Sequence, residues 1–238
     1  MIFRRRAKPS VGLQGDGAEA RPAGRDRAGG VAEAPSAETR ESVLARWRSV
    51  WGSTAPLSHL MRWDWPDRVL RFHSLPNHER LPETEEECEE IWDRFLALHT
   101  SLRALHHSED SLLFVLGRSR RRPRRREGLG ALAELLPPGS FLATWSDGED
   151  EDQIDYDIWL HVGPLSVEAL RALSDEVAAD AIRFAVGDES CSWCLAPYDG
   201  GFDVLGMTDE DREMLREAFS EWLPLPEQPY GSAEVPED

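Results

Sequence analysis

RFHSLPNHERLPETEEE, residues 71–87, opens like a buried strand and closes like the first turn of a helix. In the run before and through it, DRVLRFHSL, Val69, Arg71 and His73 alternate with Leu70 and Phe72, the period of a strand with two distinct faces. Thr84 and Glu87 then stand three apart, the spacing of a capping box, in which each side chain satisfies the other's backbone N–H. Pro82 precedes them, and the acids that follow suit the positive end of a helix dipole. Cys88, Ile91, Trp92, Phe95, His99 and Leu102 continue as one apolar stripe. A strand followed by a long amphipathic helix sets the theme. Residues 73–80 between them concentrate two His, an Arg, a Ser, an Asn and a Pro.

Outward from this stretch the pattern repeats without a strict βαβ rhythm. ESVLARWRSVW places Val43, Leu44, Trp47, Val50 and Trp51 at helical spacing. SLLFVLG (111–117), FLATWSD (141–147) and YDIWLHVG (156–163) read as strands, the last two joined by an acidic loop at 147–155. SVEALRALSDEVAADA reads as a helix with Ser166 as N-cap. SWCLAPY and FDVLGM form a hairpin through Asp199, Gly200 and Gly201, residues that accept positive φ. A last helix, capped by Thr208, is expected to turn Met214, Leu215, Phe219 and Trp222 inward. The expected fold class is α+β, an antiparallel or mixed sheet of about five to six strands with helices packed on it.

The 238 residues divide into a disordered tail at 1–40, a single α+β domain at 41–223 and a loose acidic C-terminal tail at 224–238. That length supports a core without metal or disulfide staples. No apolar run approaches the length of a membrane span, and MIFRRRAKPS lacks the apolar stretch of a secretory signal, so the cytoplasm is the expected compartment. The single Lys against many Arg reads as the mark of a GC-rich bacterial genome. Cys191 and Cys194 form a CxxC, but no second pair exists; on a continuous strand they would point to opposite faces, so both read as ordinary thiols.

A net charge of −18 argues against nucleic acid as a partner and favours encounter with a basic protein. The seven Arg within 118–126 read as a self-repelling loop, with pairing to the acidic loop and nucleic-acid binding as the alternatives. His73, His78 and Glu79 are too few and too loosely spaced to define a metal site, and the acidic loop lacks EF-hand spacing. No GxSxG, P-loop, HExxH or GxGxxG occurs, and no cofactor is expected. Trp63 and Trp65 read as core or as part of a binding face.

Two stretches resemble an uncharacterised bacterial family, domain of unknown function 3885. One is RFHSLP followed by Arg80, Pro82 and Glu83; the other is Pro197, Tyr198, Asp199, Gly201, Asp203 and Val204, with Trp222 near the end. The resemblance spans roughly 60–223. Where the family tends to carry a Ser-Lys-Arg-Tyr run this chain has His78, Glu79, Arg80 and Leu81, and Leu195 and Ala196 stand where some members have Tyr-His. The resemblance implies no activity.

Two readings follow. The first is a non-enzymatic acidic protein-binding module, immunity-like or regulatory, that meets a basic partner. The second is a hydrolase-like or transferase-like enzyme whose site lies between the 73–80 loop and the 198–203 hairpin. There His73 would be the acid/base, Asp199 or Asp203 its orienter and Arg80 an anion clamp. Either way the residues of interest are Arg71, His73, Ser74, Arg80, Tyr198, Asp199 and Asp203.

Overall fold

A short strand that is apolar at every position has no solvent side, and LLFVL at 112–116 is such a strand. Its residues divide between two cores. Leu112, Phe114 and Leu116 pack on one face with Trp47, Met61 and Ile158, while Leu113 and Val115 pack on the other with Phe95, Leu173 and Phe184. The computed structural model describes residues 33–76, 81–108, 111–118, 132–147, 154–179, 181–206 and 208–224. The chain divides into two units, Met1–Val31 and Ala32–Asp238, and all described residues lie in the second. Nearly all of the 1–40 tail, the Arg run past 118, the acidic loop at 148–153, the 225–238 tail, and His78, Glu79 and Arg80 fall outside the described residues.

The elements in order are α1 (Ala37–Trp51), α2 (Ser58–Asp64), β1 (Val69–His73), α3 (Glu85–His106), β2 (Ser111–Arg118), α4 (Leu132–Leu135), β3 (Gly139–Asp147), β4 (Ile154–Gly163), α5 (Val167–Ala178), β5 (Arg183–Gly187), β6 (Cys194–Tyr198), β7 (Gly201–Leu205) and α6 (Asp209–Ala218). The strands form one sheet in the order β1-β7-β6-β5-β2-β4-β3, every neighbour antiparallel. The class is α+β, with seven strands where five to six were expected. The added strand is β5, RFAVG, buried on both faces and too short to show a period.

Cores sit on both sides of the sheet. Against one face pack residues of α3, α5 and α6, Phe95, Leu98, Leu170 and Leu215 among them; against the other pack Val43, Trp47 and Trp51 of α1 and Met61 of α2. The capping box of α3 is present, with Thr84 Oγ1 accepting from Glu87 N at 3.2 Å and Glu87 Oε2 accepting from Thr84 N at 3.1 Å. Ser166 and Thr208 cap α5 and α6. Helix α1 begins at Ala37, inside the segment read as tail.

Two local expectations change and one open alternative is decided. Met214 is exposed, because α6 turns Leu215 rather than Met214 to the core. Cys191 and Cys194 belong to the same core: Cys191 lies before β6 with φ 57°, so strand alternation does not apply to it. Both remain free thiols, and burial pushes Cys191 up to about 12 and raises Cys194 as well. Of the two tryptophans, Trp65 is half-buried edge-on to Trp51, while Trp63 is out in solvent.

Candidate functional site

Arg71 and Asp203 are charges set inside apolar strands, and a buried charge needs a partner. Register supplies it. Arg71 of β1 stands opposite Asp203 of β7, and Ala196 of β6 flanks Asp203 on its other side. Two rungs further, His73 and Tyr198 flank Gly201 in the same way. Arg71 Nε donates to Asp203 Oδ1 at 3.0 Å and Nη2 to Oδ2 at 3.4 Å, a two-point pairing across 132 residues of chain. Arg62 of α2 approaches Oδ2 through Nε at 3.5 Å, and the Ser58 hydroxyl also reaches the carboxylate. Asp203 is fully buried, and burial outweighs Arg71 to push its carboxyl up to about 6.

The Tyr198 ring completes the cluster. The Arg71 guanidinium lies 4.7 Å from its centroid and that of Arg62 5.8 Å. The ring crosses the space over Gly201, where a Cβ would lie 2.8 Å from the Tyr198 hydroxyl and 2.2 Å from the Phe72 carbonyl. Only glycine fits that rung. The loop after β1 is tied to the hairpin by the Ser74 N–H, which donates to Gly200 O at 3.3 Å; Ser74 Oγ is buried and finds no partner among the described residues. The end of β1 is tied from the other side by Arg94 of α3, whose Nη1 donates to His73 O at 3.0 Å.

Of the seven residues read from the sequence, Arg71, His73, Tyr198 and Asp203 lie on two nearby rungs, Asp199 is at the hairpin turn and Ser74 is bonded to it; the seventh, Arg80, is outside the described residues. They do not all open on one space. Tyr198 and Asp199 line a cavity of about 230 Å³ beneath α2, whereas Arg71, His73 and Asp203 are not on its wall. Three contributors went unread in the sequence: Ser58 and Arg62, because the seven-residue α2 is too short to show a period, and Arg94, because it sits inside the apolar stripe of α3. Among the described residues no three His, Cys, Asp or Glu side chains converge as a metal-ligand set, and no helix is long and apolar enough to cross a membrane.

The arrangement works as a clamp. One carboxylate, held by a strand arginine and a helix arginine, fixes α2 to the β1–β7–β6 end of the sheet. Residues 57–225, which take in α2 and every strand, match the sequence profile of a family described as a domain of unknown function (DUF3885). No curated protein matches the chain.

Proposed function

The chain belongs to the DUF3885 family, whose description assigns no activity, and from the geometry we propose that it is a non-enzymatic protein-binding module that docks a basic partner on α2. One observation carries this reading: Trp63 is 86% exposed on a helix that is otherwise fixed in place. Its neighbours are absorbed by the fold. Arg62 meets Asp203, and Trp65 Nε1 donates to Thr54 Oγ1 at 3.1 Å. Thr54 Oγ1 in turn donates to Asp64 Oδ2 at 2.6 Å. Leaving an indole in water forgoes about 4–6 kcal/mol of burial, from some 150–250 Å² at about 25 cal/mol per Å². A side chain presented on a rigid platform loses little further freedom when a partner covers it.

The chemistry around Trp63 selects the partner's charge. Asp64 and Asp67, exposed and close to Trp63 in sequence, make this end of α2 favourable to an arginine or lysine that stacks on the indole. The net charge of −18 steers such a partner inward. The catalytic alternative has less support. Its acid/base, His73, is off the cavity wall, and Asp203 is sealed behind two guanidiniums.

The test is capture from the host's lysate with the full chain, read by mass spectrometry, beside Trp63→Ala and Met214→Ala, the latter changing an exposed apolar residue on α6. The expected result is a single stoichiometric basic protein, retained by Met214→Ala and lost with Trp63→Ala. Identical captures by wild type and Trp63→Ala would overturn the reading.

A further inference from the structure

The cavity begins where a ladder ends. Strands β5 and β6 pair at Val186 with Leu195 and at Gly187 with Cys194, and no rung follows, although β5 extends back to Arg183 and β6 on to Tyr198. By contrast β5 stays paired with β2 as far as Arg183 with Leu116. Pro197 gives a local cause: it has no N–H to contribute to a ladder. The ladder therefore ends at Val186 and Leu195, and the cavity of about 230 Å³ lies under α2 beside residues 182–184 and 196–199.

Its lining is of two kinds. Leu57, Leu116 and Ile182 are apolar wall residues, while Arg62 from α2 and Arg183 from β5 line the cavity from two elements. Arg62 meets Asp203 through Nε, and its planar fork carries further N–H donors for a second acceptor. Asp199 stands on the same wall. Two guanidiniums exclude a cation, one carboxylate disfavours a doubly charged anion, and the volume falls below the roughly 300–1,000 Å³ of sites for drug-sized ligands. We propose that the cavity under α2 is a binding site for a small organic monocarboxylate, its carboxylate held by Arg62 and Arg183 and its apolar body laid against Leu116. This site is separate from the Trp63 face and stands or falls independently of it.

Isothermal titration of the full chain with phenylacetate, benzylamine and inorganic phosphate tests the assignment. The first probe carries both features, the second the apolar body with the opposite charge, and the third a charge without a body. Phenylacetate is expected to bind saturably at one site and the other two not at all. Arg183→Ala, at an exposed strand start, is expected to weaken phenylacetate at least tenfold, with partial recovery in Arg183→Lys. Ala196→Leu, which fills the cavity, is expected to abolish binding. Should that variant fail to fold, Arg183→Ala carries the test. Absence of phenylacetate binding, equal binding of benzylamine or phosphate, or an unchanged affinity in Arg183→Ala would each overturn the proposal.

Discussion

The two faces of the sheet bury polar groups in opposite ways. On the α3 face His99 lies among aromatic rings, stacked on Phe95 at 6.1 Å and edge-on to Trp193 at 6.4 Å. Its Nε2 is buried with no partner among the described residues, and burial, with the Arg103 charge second, brings its pKa down to about 4. On the α2 face Asp203 is surrounded by Arg71, Arg62, Ser58 and His59, and burial still raises its carboxyl to about 6. Desolvation dominates at both sites and acts against the charged form in each. The difference lies in what is done about it: one face keeps its group neutral among rings, and the other brings counter-charges to it. The neutral solution makes a dry core. The paired solution leaves guanidiniums at the sheet end, beside the only helix that carries a solvent-exposed Trp among the described residues.

The dry face should lose most from truncation. Phe95 is fully buried and touches Trp92, His99, Phe184 and Phe202. Phe95→Ala is expected to cost about 4 kcal/mol in urea unfolding at pH 7, from lost transfer energy and the cavity left behind. A loss below about 1 kcal/mol would mean that the two faces do not differ in packing as described.

The next effect is in pH. His99 titrates near 4 when folded and at its ordinary 6.5 when unfolded. Between those values the unfolded chain takes up a proton that the folded one refuses, so stability present above pH 6.5 is lost as pH falls toward 4. The loss is about 3 kcal/mol, of order 1.4 kcal/mol per pH unit of separation. His99→Phe, of similar shape, should remove that part of the acid slope. Parallel slopes in wild type and variant would refute a neutral, buried His99.

Asp203 works in the same range with the reverse sign. Its carboxyl titrates near 6 when folded against an ordinary 3.8. The ionised form therefore costs stability above pH 6, and that cost disappears as pH falls through 6 toward 3.8. Asp203→Asn should destabilise by about 2 kcal/mol at pH 7, short of the roughly 3–5 kcal/mol for breaking a buried pair, because both guanidiniums reach solvent. Toward pH 4 the gap should widen, since only the wild type gains stability as its folded carboxyl takes up a proton. Curves that stay parallel would place the carboxyl outside this range.

The sequence showed much of the frame and part of the clamp. Helix α3 was legible because capping box and stripe agree, and the β6–β7 hairpin because Asp199 and Gly200 mark its turn. Arg71 and Asp203 were conspicuous as charges within apolar strands, but nothing local says that residues 132 apart share a rung. β5 was missed because burial on both faces erases alternation, and α2 because two turns show no period. The CxxC was misjudged on geometry: a left-handed residue at 191 breaks the strand rule that separates i and i+3. Trp63 and Trp65 are one residue type two positions apart, and only the place of Trp51 decides which of them is absorbed.

That last distinction gives the smallest stability effect and the sharpest functional one. Trp63→Ala removes an indole that is almost wholly in water, so unfolding free energy should stay within about 0.5 kcal/mol of wild type. Trp65→Ala removes the ring that packs on Trp51 and lies under the Arg68 guanidinium at 5.3 Å, so it should cost clearly more. A pair of substitutions two residues apart then separates a structural tryptophan from a docking one. If Trp63→Ala destabilises as much as Trp65→Ala, the indole is part of the fold, and the docking face must be sought elsewhere. If Trp63→Ala is silent in stability and still abolishes capture, the cost of leaving Trp63 in water is explained by the partner that covers it.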